Sequence, residues 1–284
     1  MFGKRFGLLS AELFLMRMRV STWVLLGIWG TLGFFFSYVL PYFSYRGATG
    51  PEAPGAGTDL AALLPESMVE TMIGGFPFYG GAIVLILGVL TIGSEFGWGT
   101  LKTLFTQRPG RGQIFAAKMG ALAIMLVPFV LIIFSIGAVS SVTIALIEDA
   151  TIVWPSVQEL IEAWLAGWLI LAVWAAAGVL LAVITRGTSL AIGIGIIYSL
   201  VIEGLVSAFA NQIELLEPIV KGFLRANAYS LVRPLGGADE AAGDGPGLFT
   251  GPFVSGTQAL VVLVVYLVVF LGVSVWLLRH RDVA

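Results

Sequence analysis

Six long runs without charged side chains limit what this 284-residue chain can fold into. Each run reaches, or nearly reaches, the roughly 20 residues that a helix needs to cross the hydrocarbon core of a bilayer. A soluble domain carries roughly 25% charged residues, whereas 11% of the residues here are charged and 58% are hydrophobic. Such a chain cannot cover its own surface with polar groups. The sequence therefore predicts an all-α, polytopic integral membrane protein with six transmembrane helices.

Polar, glycine and proline residues mark where the membrane helices end, within a single transmembrane domain over residues 1–284. We predict spans near residues 22–42, 78–94, 119–147, 163–185, 188–209 and 257–278. Residues 1–20 precede the first span and are basic and apolar. They predict a short interfacial helix with one apolar side, formed by Phe2, Phe6, Leu9, Leu13 and Met16. The alternative is a basic flank that only anchors the first span.

The positions of Lys and Arg predict which side of the membrane each connection faces. With the N-terminus in the cytoplasm, eleven of the fifteen basic residues lie in cytoplasmic segments, which is where such residues are retained. The external segments are then 43–77, 148–162 and 210–256, and they hold most of the acidic residues. Part of the first of them, 61–73, is compatible with a short helix lying on the membrane. Both termini are predicted to be cytoplasmic.

The chain contains no zinc-protease, serine-hydrolase or nucleotide-binding-loop signature. His280 is the only histidine and cysteine is absent, so neither a zinc-protease motif nor a cysteine-ligated metal site can be built from it. A glycine-rich nucleotide-binding loop ending in Lys and Ser or Thr is also missing. We therefore expect no catalytic residue, no metal and no cofactor bound by this chain. Any energy from ATP has to come from a partner.

The cytoplasmic loop 95–118, between the second and third spans, is the most informative segment of the sequence. Its middle, 100–107, places Leu101, Leu104 and Phe105 on one side of a short amphipathic helix. Thr100 can cap the start of this helix, and Pro109 with Gly110 ends it. The alternative is an ordinary basic loop that follows the positive-inside rule.

This loop resembles the one in permease subunits of ATP-binding-cassette exporters of the second export class. In that family a glutamate precedes a Gly-Thr pair, and a short helix, a proline, an arginine and a lysine that opens the third helix follow. The corresponding elements here are Glu95, Gly99-Thr100, 101–107, Pro109, Arg111 and Lys118. The interfacial N-terminal segment, the six spans and the larger external segment before the last span also fit the family.

The resemblance implies a half-transporter that pairs with a second permease subunit, identical or different, and docks two cytoplasmic ATPase subunits. ATP and Mg would be bound by those ATPase subunits, nucleic acid would have no part, and the protein would lie among lipids of a prokaryotic plasma membrane. The short helix 101–107 would be the coupling helix that touches the ATPase. The residues expected at that contact are Glu95, Gly99, Thr100, Lys102, Arg108 and Arg111.

Glu203 is the one ionisable residue well inside a predicted span. A carboxylate in hydrocarbon costs about 2.5–3.5 kcal/mol on insertion scales, so we expect it to face protein or a watery cavity, where it would line a pathway or a subunit interface. The alternative is that it lies near the external end of its helix and simply reaches water.

Two other functions remain open from the sequence alone. One is a membrane-anchored assembly or regulatory protein that transports nothing. The other is an ion-coupled secondary carrier that needs no ATPase. Glu203 is the only residue that favours the carrier, because ion coupling usually requires several buried charges.

Overall fold

The computed structural model of the chain describes residues 2–47, 59–97, 99, 110–210, 213–236 and 253–280. All regular structure within these ranges is helical, and six helices are long and apolar enough to cross a membrane. The prediction of an all-α protein with six membrane helices is confirmed. The first to sixth spans are Val20–Gly47, Pro65–Gly97, Arg111–Ile147, Val157–Thr185, Ser189–Ala210 and Gly256–His280.

A separate helix, Phe2–Met18, precedes the first span and is called the N-terminal helix. It packs along the start of the third span, and the end of the sixth span lies there too, because Arg111 Nη1 donates to the Leu278 carbonyl over 3.4 Å. We call this side of the bundle the termini end and the opposite side the far end. Both ends of the described chain therefore lie on one side of the bundle, as an even number of spans requires.

The N-terminal helix presents one apolar side to the bundle. Met16 is buried, and Leu9 and Leu13 pack against the core, while Phe14 and Leu15 are exposed. These contacts agree with the apolar side predicted for this helix over the part whose side chains are described.

The segment 60–73, which leads into the second span and includes its first nine residues, is mostly buried in the bundle instead of lying on the membrane. Residues 60–73 form short helical turns, Leu60–Leu63, Pro65–Ser67 and Met68–Ile73, and the last two pack against the third span. A Cβ at Gly137 would lie 2.7 Å from Met72 Cγ, so this glycine leaves the space into which the methionine fits. The prediction of a surface helix over 61–73 fails here because a glycine in another span supplies a place to bury it.

The second and fourth spans form the centre of the bundle. In each, 72% of the most apolar stretch is buried, against 22% in the fifth span and 17% in the sixth. The two central helices approach so closely that a Cβ at Gly88 would overlap the carbonyl oxygen of Ala175, and a Cβ at Gly178 would overlap that of Leu85. Glycines of this kind let membrane helices pack backbone to backbone, which increases dispersion contacts.

Three spans contain a π-helical segment, at Phe35–Val39, Phe76–Gly80 and Ile197–Ile202. Such wide turns interrupt the regular ladder of backbone hydrogen bonds and are frequent at functional sites. Those of the first and second spans lie close together, since the rings of Phe36 and Tyr79 are 6.2 Å apart. About two turns earlier in the first span, Trp29 is fully buried and donates from Nε1 to the Phe129 carbonyl over 2.8 Å.

The far end carries a short buried helix, Leu224–Val232, which we call the far-end helix. It packs against the sixth span and, with the preceding helix Glu217–Lys221, forms a second small apolar cluster around Val220 and Tyr229. The sequence predicts helical spacing over 211–226 with a break at Pro218, but Pro218 lies in the first turn of Glu217–Lys221, and the break falls instead at Gly222 and Phe223, before the far-end helix.

Candidate functional site

The two ends of the loop 95–118 are joined by a buried ion pair. Glu95 lies at the end of the second span, and Lys118 lies two turns inside the helix of the third span. Lys118 Nζ donates to Glu95 Oε1 over 2.5 Å, and both residues are buried, with 3% and 4% of their surface exposed. An ammonium group that has left water is stabilised only where carboxylates or other acceptors surround it.

The N-terminal helix supplies a second carboxylate to the same ammonium group. Lys118 Nζ donates to Glu12 Oε1 over 2.9 Å and to Oε2 over 2.8 Å. Glu12 is itself buried, with 8% of its surface exposed. The interaction joins the N-terminal helix to the loop ends, so three separate segments of the chain meet at one nitrogen.

Arg19 completes the group, which we call the charge cluster and define as Glu12, Arg19, Glu95 and Lys118. Arg19 is the extended residue between the N-terminal helix and the first span, and its Nη2 lies 3.8 Å from Glu95 Oε1. Its Nη1 donates to the Leu90 carbonyl of the second span over 2.9 Å. Two cations thus face two anions, and the cluster as a whole carries no formal net charge.

The sequence predicts part of this cluster and misses the rest. Glu95 and Lys118 stand out because they open and close the loop motif, whereas Glu12 and Arg19 carry no such signal. The one indication at Glu12 is its place within the apolar side formed by Leu9, Leu13 and Met16. An acid in such a position is buried unless the helix is free, and buried acids require a partner.

The other residues predicted at the ATPase contact divide into two groups. Thr100, Lys102 and Arg108 lie outside the described residues. Gly99 is exposed and has a φ of +67°, a left-handed conformation that glycine adopts without strain. Arg111 begins the helix of the third span and is directed to the end of the sixth span by its bond to Leu278.

Glu203 lies far from the charge cluster, at the far end of the fifth span. Its side chain is fully buried, so the alternative that it reaches water is not what the structure shows. Oε1 accepts the backbone N–H of Leu224 over 2.9 Å, and Oε2 accepts that of Arg225 over 3.2 Å. These are the first two N–H groups of the far-end helix, which have no partner within a helix. Glu203 therefore caps that helix.

The side chain of Arg225 is held in the same place. Its Nη2 donates to the Ser199 carbonyl, and its guanidinium lies 5.2 Å from the centre of the Phe78 ring. Burial lowers the pKa of Arg225 from its ordinary value, while the nearby Glu203 carboxylate opposes the shift. Glu203 and Arg225 thus tie the fifth span, the second span and the far-end helix together.

Replacing Glu203 with alanine is expected to loosen the far-end helix. The change removes acceptors for two buried N–H groups and takes the Glu203 carboxylate away from Arg225, so backbone amide exchange in 224–232 should accelerate by about fivefold or more, since a lost cap alone costs about 1 kcal/mol. Hydrogen exchange with mass spectrometry measures this rate. The control is Glu217→Ala, an exposed residue paired with Lys221. Equal exchange rates in the two variants would contradict the capping role.

No group of three or more His, Cys, Asp or Glu side chains that could hold a metal ion occurs within the described ranges. The charged residues of the cluster instead satisfy one another. In chemical terms this arrangement holds the N-terminal helix and the second and third spans together.

The sequence also matches a family of known proteins. The family model for ABC-2 family transporter protein covers residues 16–283. This range includes all six spans, the loop 95–118 and three members of the charge cluster, with Glu12 just before it. A comparison with curated proteins finds no match.

Proposed function

This chain belongs to the ABC-2 transporter family, and from that membership we propose that it is the permease half of an ATP-driven exporter in a prokaryotic plasma membrane. The resemblance predicted from the loop 95–118 is confirmed at the level of the family. Family membership makes the chain a multi-pass permease component of an ABC transporter and implies ABC ATPase partners. Dimerisation with a second permease, ATPase docking through 101–107 and outward transport of a solute belong to the proposal.

The charge cluster is the observation that supports motor coupling most directly. A loop that transmits movement has to be attached rigidly to the helices it moves. Lys118 bonds to Glu95 and Glu12, so the stem of the loop is cross-linked to the N-terminal helix as well as to both adjoining spans. A displacement of the loop by an ATPase would therefore act on the second and third spans and on the N-terminal helix as one unit.

The predicted contact residues take different parts in this proposal. Thr100, Lys102 and Arg108 would meet the ATPase, with Gly99 allowing the turn before them. Glu95, being buried, would hold the stem rather than touch the partner. Arg111 would connect the loop to the end of the sixth span, since it bonds to the Leu278 carbonyl.

The two alternative functions receive less support. The ABC-2 family is a transporter family, which disfavours an assembly protein without transport. An ion-coupled carrier needs titratable groups that reach the pathway, whereas the carboxylate of Glu203 is fully buried and accepts two backbone N–H groups. Transport in vesicles driven by an ion gradient without ATP would still overturn the exporter proposal.

Reversing two charges in the loop tests the docking site. With the partner ATPase co-expressed, Lys102→Glu combined with Arg108→Glu is expected to abolish complex formation or substrate-stimulated ATP hydrolysis, because cations facing the partner become anions. Copurification and ATPase assays in liposomes measure both. The matched control is Arg17→Glu with Arg186→Glu, which makes the same charge change at two exposed arginines outside the loop. An unaffected loop variant would refute the docking site; the control should retain the complex.

A further inference from the structure

A cavity of about 760 Å³ lies at the termini end, between the N-terminal helix, the first turns of the third span and the end of the sixth. Its volume falls within the roughly 300–1,000 Å³ of small-molecule sites. We propose that this cavity binds one anionic phospholipid. The phosphate would be bound by two arginines, and the part of an acyl chain nearest the headgroup would lie along the apolar wall. The lining is formed by Leu8, Leu9, Gly110, Arg111, Gly112, Gln113, Ala116, Ala117, Gly120 and Arg279.

The charge of the lining selects an anion. Arg111 and Arg279 both contribute to it, and no acidic residue is among the described residues that line it. Glu12 and Glu95, two acids of the termini end, are bonded to Lys118. Arg279 makes no ion pair within the described part of the chain. Two guanidinium groups on one cavity match the oxygens of a phosphate, which they bind by paired, charge-assisted hydrogen bonds.

The local structure holds these two guanidinium groups at the cavity. Arg111 is fixed by its bond to the Leu278 carbonyl. Arg279 lies over the first turn of the third span, where a Cβ at Gly112 would be only 2.7 Å from its Nη2. The absence of a side chain at Gly112 therefore leaves the space that the Arg279 guanidinium occupies. Both cations therefore come from helix ends that are already joined.

The depth of the cavity indicates a lipid rather than a free anion. Trp276, one turn before Arg279, is exposed, as expected of a ring at the membrane interface. From Arg111 the lining continues to Gly120, about 14 Å further along the same helix at 1.5 Å per residue. This deeper wall is apolar and includes Leu8, Leu9 and Ala117. A ligand that satisfies both parts has a negative headgroup and a hydrocarbon tail.

Lipid retention by the purified permease tests this site without any ATPase, so it is independent of the proposed transport function. The protein is released from nanodiscs of phosphatidylglycerol or phosphatidylcholine, and native mass spectrometry counts the lipids that stay bound. We expect one phosphatidylglycerol to be retained in preference to phosphatidylcholine. Arg111→Gln with Arg279→Gln is expected to lower that retention by more than about tenfold, since each charge-assisted bond contributes more than a neutral one.

Two further variants separate a specific site from general attraction. Arg17→Gln with Arg186→Gln removes the same charge from exposed residues of the termini end that do not line the cavity, and should retain the lipid. Ala116→Phe fills the cavity without changing charge and should weaken retention, which tests the site even if the arginine variant is unstable. Millimolar inorganic phosphate should not displace the lipid.

Three results would overturn the proposal. The first is equal retention of phosphatidylglycerol by the wild type and by the variant that lacks both cavity arginines. The second is an equal loss in the control pair, which would indicate bulk electrostatics. The third is full displacement by inorganic phosphate, which would make the ligand a soluble anion.

Discussion

Replacing Lys118 with methionine is expected to lower the free energy of unfolding by about 3–5 kcal/mol, because it leaves two buried carboxylates facing each other without their shared cation. Methionine has a similar length and fills the space, so the loss of unfolding free energy would come from the missing charge and not from a cavity. Thermal and denaturant unfolding in detergent measure the change. The cross-link between the N-terminal helix and the loop stem would be lost at the same time, so ATPase coupling should fail even at temperatures where the variant stays folded.

The structure provides a matched control and a rescue for this experiment. Lys221→Met also removes a lysine from an ion pair, but Lys221 and its partner Glu217 are solvent-exposed, and such a pair contributes at most about 1 kcal/mol. Adding Glu12→Gln to the Lys118→Met variant removes the carboxylate that has lost its cation, while Glu95 keeps Arg19 as its partner, and should restore part of the stability. Wild-type stability of Lys118→Met alone would show that the cluster does not hold the helices together.

Adding a methyl group at Gly88 or Gly178 is expected to separate the two central helices of the bundle. In each case the new Cβ would overlap a backbone carbonyl of the opposite helix, and backbone cannot move aside as a side chain can. Overpacking of this kind typically costs about 1–3 kcal/mol and sometimes more. Gly88→Ala and Gly178→Ala should each reduce the yield of folded protein and its unfolding temperature, measured by fluorescence-detected size exclusion.

Combining the two substitutions tests whether they act on one contact. Both act on the same helix crossing, so one separation of the helices relieves both overlaps and the double variant should lose less stability than the sum of the two singles. The control is Gly27→Ala with Gly272→Ala, since a Cβ at either position meets nothing within 4 Å. Losses in the control as large as those at Gly88 and Gly178 would mean that glycine flexibility, and not close packing, is what matters.

The sequence predicts the membrane helices well because length and hydrophobicity decide them locally. Charge-free runs of about 20 residues form helices in lipid, because a helix bonds every backbone group within its own segment. The path of residues 60–73 is different. Their burial depends on the space left at Gly137, more than sixty positions further along the chain, and no local pattern indicates it.

The candidate site shows the same division between local and tertiary information. Glu95 and Lys118 are visible because they flank a motif, but the partner that completes their ion pair, Glu12, comes from a different segment. Glu203 is visible as an isolated acid in an apolar run, while its role depends on where the far-end helix begins. In both cases the sequence identifies a charge that requires a partner, and only the folded chain shows which atoms meet it.

The bond between Glu12 and Lys118 also sets an order of events during synthesis. The two residues are 106 positions apart, so Glu12 leaves the ribosome long before its ammonium partner exists. Until the third span has entered the bilayer, the N-terminal helix has no place to bury that carboxylate and must wait at the water boundary. The N-terminal helix, although it is synthesised before the six spans, therefore reaches its final place only after the third of them.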